Sequence, residues 1–440
     1  MTHDPATPDS LVTTPATTKH RRFVVLCPHF APDIAPTGKV MTNLVHEWAA
    51  LGHEVHVVTS LPWYREHRVE TAWRGRLVRR EHTDWGSITR INPFASKSKS
   101  NLFARSVAFV TFSVVAGVCA ITAGRGRARN THAHRSGRID AIIAMSPPLT
   151  LGIVGWLAAL VRRSRLVFNV QDVFPDAAVK TGAVTNPAVI ALASWLERFT
   201  YRRSAAVVVL SEDLRHNVRA KLPAKLAEHV HVIENFVDTT AVSPRNRMTA
   251  YRRELNLGDE VVVMYAGNVG FSQSLGALVE AARRLPAISF VINGSGSALP
   301  ELKMQARDLP NVRFGNYQPE ERLAEVLATA DIHVVSLRAG LASVSVPSKT
   351  YSILAAGRCV VAAVDAETEI ARLVHRSGAG VAVTPDDVDA LVAAITRLVA
   401  DASLRDSMGR AGRTFVERHG SARDAARAYA ALVPDSLSNS

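Results

Sequence analysis

The sequence predicts an α/β protein with two doubly wound domains whose parallel sheets face a central cleft. Short apolar runs rich in β-branched residues alternate with helical patterns, as the buried strands of parallel sheets do. At 440 residues, the chain is too long for one ordinary hydrophobic core. A polar segment at residues 242–253 interrupts the alternation, which then restarts, so the runs fall into two sets.

Each set contains six runs that we predict as strands, with helices between them. The first six strands are expected at residues 23–27, 54–59, 141–145, 166–170, 206–210 and 230–233. The next six are expected at residues 261–266, 289–292, 312–314, 332–336, 359–363 and 380–383. Amphipathic helices are expected near the end of the chain, at residues 387–400, 404–418 and 422–432.

The domain boundaries follow from this alternation. The first domain is predicted at residues 21–240 and the second at 241–420, followed by a C-terminal helix and tail at 421–440. Residues 1–20 are rich in Thr, Pro, Ala and Asp, which predicts a disordered tail rather than a signal peptide. Open parallel sheets bind ligands at the carboxyl ends of their strands, so we expect the functional site between the two domains.

The composition is that of a globular protein with an anionic partner. Hydrophobic residues make up 47% of the chain and charged residues 21%, and the net charge is +13. Acidic lipids and phosphorylated substrates suit this charge, whereas no zinc-finger spacing or aromatic-interleaved basic motif favours nucleic acid. Cys27, Cys119 and Cys359 lie far apart in apolar surroundings, which predicts core residues in a reducing compartment, the cytoplasm.

The run at residues 346–357 predicts a helix whose first turn holds an anion. Pro347 suits the start of a helix, Ser348 can cap it, and Gly357 ends it before an apolar strand. Lys349 adds a cation among the unpaired N–H groups of the first turn, where a diphosphate would fit. The alternative interpretation is a capped core helix with an exposed lysine.

Two further strand ends in the second domain carry glycines, which permit a close approach of backbone to ligand. The loop after the predicted strand at 261–266 contains Gly267, Asn268, Gly270 and Gln273. The two glycines permit a close approach of the backbone to diphosphate oxygens. The next strand ends at Gly294 and Gly296, where a tight turn leaves room for a flat base. Neither segment matches the full dinucleotide-binding fingerprint, so each is weak evidence alone.

Two strand ends in the first domain are candidates for contact with a second substrate. Gly38 would let the backbone approach a sugar or phosphate at a helix N-terminus, and an ordinary strand-to-helix turn is the alternative. Gln171 and Asp172 follow the predicted strand at 166–170. Asp172 would orient a sugar hydroxyl or help it lose its proton, and a helix cap is the alternative.

These segments, in this order and spacing, resemble the retaining glycosyltransferases of family 4, which have the GT-B fold of two Rossmann-like domains. In particular they resemble the bacterial L-fucosamine transferases of O-antigen and colanic-acid assembly. The resemblance extends from residue 22 to residue 418. It rests on the segments at 36–38, 51–55, 59–62, 171–175, 232–238, 265–270 and 346–357.

The resemblance implies an enzyme that moves a hexosyl or N-acetylhexosaminyl group from a nucleotide diphosphate sugar with retention of configuration and without a required metal. UDP is the expected nucleotide. Lys349 would neutralise the leaving diphosphate and act with Asp172 as a catalytic residue. The donor would contact Gly267, Asn268, Gly270, Gln273, Gly294, Gly296, Ser348 and Glu369. The acceptor side would include Gly38 and Gln171.

Some positions depart from the family pattern. Many relatives carry two glutamates eight residues apart beside the diphosphate and ribose, and here those positions hold Val344 and Ser352. Many also carry a histidine where this chain has Gln171. Glu367 or Glu369 is another candidate neighbour of the ribose, and the start of a surface helix is the alternative role of each.

The segment at residues 102–124 is a candidate membrane contact because it is uncharged from Ser106 to Ala123. Basic residues flank it at Lys97, Lys99, Arg105, Arg125, Arg127 and Arg129. Basic residues at both ends, and the need to keep the neighbouring strands in one sheet, argue against a single membrane span. We predict a helix at the anionic inner face of the plasma membrane, with Phe109, Phe112 and Val115 toward lipid. A buried core helix is the alternative.

Membrane contact would suit a polyprenyl-linked acceptor in cell-surface polysaccharide biosynthesis. The protein would then be cytoplasmic and peripheral to the membrane. Two other functions fit the same fold, a nucleotide-sugar epimerase and a non-catalytic membrane assembly partner.

Overall fold

The computed structural model describes residues 20–64, 68–94, 102–125 and 138–433, apart from the side chains of residues 102–106. The predicted disordered tail, up to residue 19, lies outside the described residues, as do residues 434–440 of the predicted C-terminal tail.

The first sheet has eight strands. They are β1 (Arg22–Leu26), β2 (Glu54–Ser60), β3 (Val78–Thr83), β4 (Gly86–Ile91), β5 (Ala141–Ser146), β6 (Arg165–Val170), β7 (Ala206–Val209) and β8 (Val230–Val232). Their order in the sheet is β3-β4-β2-β1-β5-β6-β7-β8. The β3–β4 pair is antiparallel and the other pairs are parallel.

Helices cover both faces of this sheet. They are α1 (Pro36–Ala50), α2 (Leu102–Thr122), α3 (Thr150–Arg162), α4 (Asp176–Lys180), α5 (Pro187–Arg203), α6 (Glu212–Ala220) and α7 (Ala224–Ala227). The helices α2, α3 and α5 pack on one face, where Phe112, Leu151 and Tyr201 enter the core. The opposite face is covered by α1, which buries Leu44 and Trp48.

The second sheet has six parallel strands. They are β9 (Val262–Ala266), β10 (Ser289–Asn293), β11 (Val312–Gly315), β12 (Ile332–Ser336), β13 (Cys359–Ala363) and β14 (Gly380–Val383), in the order β11-β10-β9-β12-β13-β14. The remaining helices are α8 (Ala250–Glu254), α9 (Gly276–Arg284), α10 (Leu299–Gln305), α11 (Leu323–Thr329), α12 (Lys349–Ala355), α13 (Glu369–Ser377), α14 (Val388–Ala400), α15 (Ala402–His419) and α16 (Ala422–Ala431). Short 3₁₀ turns lie at Thr71–Trp73 and Glu320–Arg322.

This architecture confirms the predicted fold class. Each of the twelve predicted strands coincides with an observed strand to within one or two residues. The β3–β4 hairpin was not predicted, because β3 is a polar edge strand whose residues alternate between exposed and half-buried.

Contacts between the two halves of the chain join the two domains. The helix α16 returns to the first sheet, where the Trp48 indole N–H donates to the carbonyl of Ala426 at 2.9 Å. Near the cleft, the backbone N–H of Val173 donates to the carbonyl of Val344 at 2.8 Å. One apolar cluster also spans both halves, so the sheets share part of a core.

The α2 helix is packed on α3 within the first domain. Phe112 is only 2% exposed, so the prediction that its side chain faces lipid is wrong, whereas Phe109 and Val115 are half-buried. The helix is apolar all round, so its sequence gives little indication of which side is buried. Of the predicted flanking residues, Lys97, Lys99, Arg127, Arg129 and the Arg105 side chain lie outside the described residues. Among the helices that the structure describes, none combines the length and hydropathy needed to cross a bilayer.

Candidate active site

A cleft of about 390 Å³ lies between the two sheets. The first domain contributes the start of α1 and Tyr64, and the second contributes the loop after β9 and the start of α12. The connecting segment at residues 235–238 also lines the cleft. The strands β1 and β9 sit where the strand order reverses in their sheets, which is the ordinary ligand position in doubly wound folds.

Lys349 is the central cation of the cleft. Its Nζ donates a hydrogen bond to the hydroxyl of Tyr265 and lies 3.9 Å from the centroid of that ring. Burial lowers the pKa of Lys349 to about 7. No carboxylate of the described residues forms an ion pair with this ammonium group. An anion bound beside it would therefore stabilise its charged form.

Tyr265 connects Lys349 to the loop after β9. Its side chain is fully buried, and its hydroxyl donates to the carbonyl of Asn268 at 2.5 Å. Burial raises the pKa of Tyr265 well above its ordinary value, so the phenol keeps its proton. The lysine is thus held at a fixed position relative to this loop.

The loop after β9 contains further residues that the sequence predicted as contacts of the sugar donor. Gly267, Asn268 and Gln273 line the cleft. A Cβ atom on Gly267 would lie 2.9 Å from the Lys349 Nζ, so the absent side chain leaves space for the lysine. The backbone N–H of Gly270 donates to Gln273 Oε1 at 2.9 Å, which closes the loop on itself. Gln273 is therefore oriented by the loop and faces the cleft.

Ser348 also lines the cleft, directly before Lys349. It occupies the N-cap position of α12, but its side chain makes no capping hydrogen bond. The hydroxyl is exposed and remains available to a ligand.

Gly294 and Gly296 have a structural role that the sequence did not reveal. A Cβ atom would lie 1.9 Å from the carbonyl oxygen of Gly267 if placed on Gly294, and 2.2 Å from that of Val269 if placed on Gly296. Both glycines let the turn after β10 approach the loop after β9 closely. The cleft lining includes their neighbour Asn293 but neither glycine. These two glycines therefore support the shape of the loop after β9 without lining the cleft themselves.

The acceptor-side candidates lie outside the described lining of the cleft. A Cβ atom on Gly38 would lie 2.8 Å from the Cβ of His29, so this glycine lets α1 approach the loop after β1. Gln171 is buried and donates to Asn169 Oδ1 at 2.6 Å. Both residues therefore make their contacts within the first domain.

Asp172 lies at the contact between the two domains. It accepts a hydrogen bond from Ser345, which lowers its pKa, but burial is the larger effect and raises the pKa. Asp172 does not cap α4, which begins at Asp176 and has no side-chain cap. Ser345 itself lines the cleft, so Asp172 is one residue removed from it.

Glu369 is separated from the other donor-side candidates. It begins α13 and is 5% exposed, where it pairs with Arg372 at 3.1 Å and Arg376 at 2.8 Å. Its backbone N–H donates to Asp213 of the first domain at 2.8 Å. The alternative prediction, the start of a surface helix, is therefore correct for the helix. The location differs, because Glu369 is buried at a contact between the two domains. The described cleft lining does not include it.

The two positions where the family resemblance predicts glutamate differ in environment. Val344 is 1% exposed and lies in the apolar cluster shared by both domains. Ser352 is half-buried and lines the cleft. Only the second position faces space that a ligand can enter.

Asn235 is a candidate binding residue that sequence reasoning missed. It is 3% exposed, lines the cleft, and makes no hydrogen bond through either amide atom in the described structure. A buried amide without partners is costly in a folded protein, which points to a ligand as its partner. The only sequence signal was a polar residue in the connection between the domains.

The Lys39–Glu320 ion pair was also missed. Its atoms are 2.8 Å apart, and the two residues line the cleft from opposite domains. The other carboxylate of the described lining, Asp238, accepts from the backbone N–H groups of Thr240 and Ala241. Both carboxylates therefore already have partners. Among the described residues, no group of three or more His, Cys, Asp or Glu side chains is placed to hold a metal ion.

Comparisons with known proteins agree with this geometry. Residues 37–235 match a glycosyl transferase 4-like domain, and residues 260–401 match the glycosyl transferases group 1. WcaI of Escherichia coli K12, a glycosyl transferase assigned to colanic acid biosynthesis, is 29% identical over 381 residues, which cover 83% of this chain and 89% of WcaI.

Solved structures share the two-domain architecture. Sucrose-phosphate synthase of Thermosynechococcus elongatus superposes with a TM-score of 0.71 at 18% identity, covering 94% of this chain and 98% of that one. HepE of Anabaena, solved with UDP and glucose, gives a TM-score of 0.66 at 14% identity and covers 94% and 99% of the two chains. The chain therefore belongs to the glycosyltransferases of the GT-B fold, with a family 4-like first domain and a group 1 second domain.

Proposed function

We propose that this glycosyltransferase moves a sugar from a nucleotide diphosphate donor to a lipid-linked acceptor, with retention of configuration, in cell-surface polysaccharide assembly. The observation that carries the proposal is the half-buried Lys349, whose ammonium group lies in the cleft beside Gly267 without an anionic partner in the described residues. A diphosphate is the anion that the donor would bring to this position.

The second domain suits the donor. Lys349, Ser348 and Asn268 offer polar contacts to phosphate oxygens on one side of the cleft. Leu323, Val326 and Leu327 form an apolar part of the same lining, where a nucleoside base fits. The complex of HepE with UDP and glucose supports UDP as the nucleotide.

The chemistry required of the protein is mainly stabilisation of the leaving group. The bond between the anomeric carbon and the diphosphate oxygen breaks, and a bond to the acceptor oxygen forms on the same face of the sugar. Lys349 offsets the negative charge that develops on the departing diphosphate. The proton of the acceptor hydroxyl passes to an oxygen of that diphosphate, which departs on the same face of the sugar.

Relatives and surface chemistry support the proposed acceptor. The name of WcaI refers to colanic acid biosynthesis. Exposed apolar side chains on α2 suit a position at the inner face of the plasma membrane, where lipid-linked sugars are accessible.

Transfer can be tested with purified protein, bacterial membranes and a panel of radiolabelled nucleotide sugars. We expect label in the extractable lipid with one donor and its loss with Lys349→Ala. Full transfer by Lys349→Ala would contradict the role of the lysine. An epimerised donor without lipid label would assign the protein to the epimerases instead.

A further inference from the structure

Three neighbouring helices expose apolar side chains on the outside of the first domain. On α2, Val107, Val110, Val114 and Val118 follow a spacing of three or four residues and form one stripe, with Val118 60% exposed. On α3, Leu157, Leu160 and Val161 are exposed, and on α5 the same holds for Val189, Leu192 and Trp195. Scattered exposed apolar residues are normal, but three aligned groups on adjacent helices are not.

The three helices form one continuous surface. The α3 helix packs between α2 and α5. Phe199 connects two of them, because its ring meets Trp156 of α3 edge-on at 5.1 Å and stacks on Trp195 at 5.5 Å. Arg162 of α3 links this helix to α2, because it donates to the carbonyls of Ile121 and Ala123 at the end of α2.

This surface carries no exposed negative charge. The sequences of α2 and α3 contain no Asp or Glu, and the one acid of α5, Glu197, is 1% exposed and pairs with Lys221 at 2.7 Å. The described side chains that remain exposed on these helices are therefore apolar, polar or basic.

A cluster of arginines lies at one end of the surface. Arg125, Arg138, Arg162 and Arg163 line a depression of about 380 Å³ together with Val161, which belongs to the apolar face. Within the described residues, none of the four forms an ion pair with a carboxylate. Four guanidinium groups beside an apolar surface provide the donors that a phosphate group requires.

We propose that α2, α3 and α5 form a membrane-docking face, in which the apolar side chains enter an anionic bilayer and the arginine depression binds the phosphate of a lipid headgroup. Charge complementarity favours lipid over a second copy of the chain, because two copies meeting through this face would bring like charges together. The three helices begin near the carboxyl edge of the sheet, so the docking face extends to the side of the cleft. The docking face rests on the proposed function in one respect only: a position at the membrane serves the reaction if the acceptor is linked to lipid.

Vesicle flotation with the full-length protein tests the docking face. The vesicles contain either phosphatidylcholine alone or phosphatidylcholine with phosphatidylglycerol. We expect binding to the anionic vesicles and a loss of about tenfold or more in Val114→Asp/Val118→Asp/Leu160→Asp, since all three side chains are exposed. Arg138→Glu/Arg163→Glu should remove the preference for the anionic lipid.

The control variant is Leu77→Asp/Met304→Asp, which changes two equally exposed apolar side chains outside the face. It should bind vesicles like the wild type. Equal binding by the triple variant and this control would overturn the proposal, as would a concentration-dependent dimer that the triple variant loses in the absence of lipid. UDP affinity and the thermal midpoint show that each variant is folded. If the protein binds vesicles but transfers no sugar, that result contradicts the proposed function and leaves the docking face intact.

Discussion

Lys349 holds its ammonium group over the ring of Tyr265, 3.9 Å from the ring centroid, and donates a hydrogen bond to the hydroxyl of the same residue. The tyrosine in turn donates to the carbonyl of Asn268. A single aromatic side chain thus connects the start of α12 with the loop after β9. Cation–π attraction compensates in part for the water that the lysine has lost. The arrangement fixes the position of the lysine amino group in the cleft before any donor arrives.

Replacement of this lysine should lower activity without weakening the fold. Lys349→Met keeps most of the apolar stem, and we expect kcat to fall by about 10²- to 10³-fold because a preorganised charge at the leaving group is lost. The thermal midpoint without donor should stay equal or rise, because a desolvated cation without an anionic partner is removed. Steady-state kinetics and thermal unfolding measure the two effects.

The matched control is Lys303→Met. The Nζ of Lys303 also lies over a ring, 5.7 Å from the centroid of Phe314, but the described cleft lining does not include it. Its replacement should leave kcat unchanged. A Lys349→Met enzyme with wild-type kcat would remove the lysine from the mechanism.

Donor binding should depend on pH through Lys349. With a pKa of about 7, the lysine is largely charged below pH 7 and loses its proton as the pH rises. A bound diphosphate raises this pKa, so binding takes up a proton above pH 7. The Kd for UDP-glucose should therefore be constant below pH 7 and rise by up to about tenfold per pH unit above it.

Calorimetry in buffers of different ionisation enthalpy measures this proton uptake. UDP-glucose is the suitable ligand because its diphosphate diester does not titrate near neutral pH. Lys349→Met should show no proton uptake from this group and a flatter profile. A wild-type profile as flat as that of the variant would contradict the assignment.

The sequence predicts the buried strands well and the exposed elements poorly, for a physical reason. A strand covered on both faces, such as β5, must be apolar throughout, and this pattern is visible in one dimension. The edge strand β3 has a polar sequence that carries no such requirement. The α2 helix is apolar all round, so only the tertiary structure reveals that Phe112 points inward.

The residues of the candidate site also divide into those that the sequence indicates and those that only the tertiary structure reveals. The position of Lys349 beside Gly267 was predictable because strand ends and helix starts of one parallel sheet converge. The role of Gly294 depends on the adjacency of β9 and β10, which is a long-range pairing. The unpaired amide of Asn235 results from the folding of two domains around it, so no local pattern indicates it.

Asn235 should contribute to ligand affinity rather than to stability. Asn235→Ala removes a buried amide that lacks partners, so the thermal midpoint should stay equal or rise while KM increases by about tenfold. The control is Asn311, whose amide donates to three backbone carbonyls outside the described cleft lining. Asn311→Ala should lower the thermal midpoint and leave KM unchanged. Similar effects of the two variants would contradict a ligand contact.

The Lys39–Glu320 pair should influence closure of the cleft. Both side chains are partly exposed, so reversing one charge in Lys39→Glu should raise KM for the donor by up to about fivefold. The double reversal Lys39→Glu/Glu320→Lys should restore KM. A charge reversal of the exposed Arg283–Asp308 pair, which lies within the second domain, is the control. Failure of the double variant to recover would show that the pair itself is not responsible.

The same substitution at Val344 and Ser352 should have opposite effects. Val344→Glu would bury an unpaired carboxylate in the shared core, and we expect a loss of about 3–5 kcal/mol in the free energy of unfolding. Ser352→Glu adds a carboxylate to the cleft lining, at the position where the family resemblance predicts one beside the ribose. It should leave the fold intact and tighten UDP binding by about tenfold, since hydrogen bonds to a charged group are strong.

Chemical denaturation and calorimetric titration with UDP measure the two outcomes, and 2′,3′-dideoxy-UDP is the diagnostic ligand for Ser352→Glu. This analogue lacks the hydroxyls that the new carboxylate would accept from, so its affinity should not improve. Equal gains for UDP and the dideoxy analogue would contradict ribose contact at Ser352. A stable Val344→Glu protein with tighter UDP binding would instead place Val344 at the nucleotide.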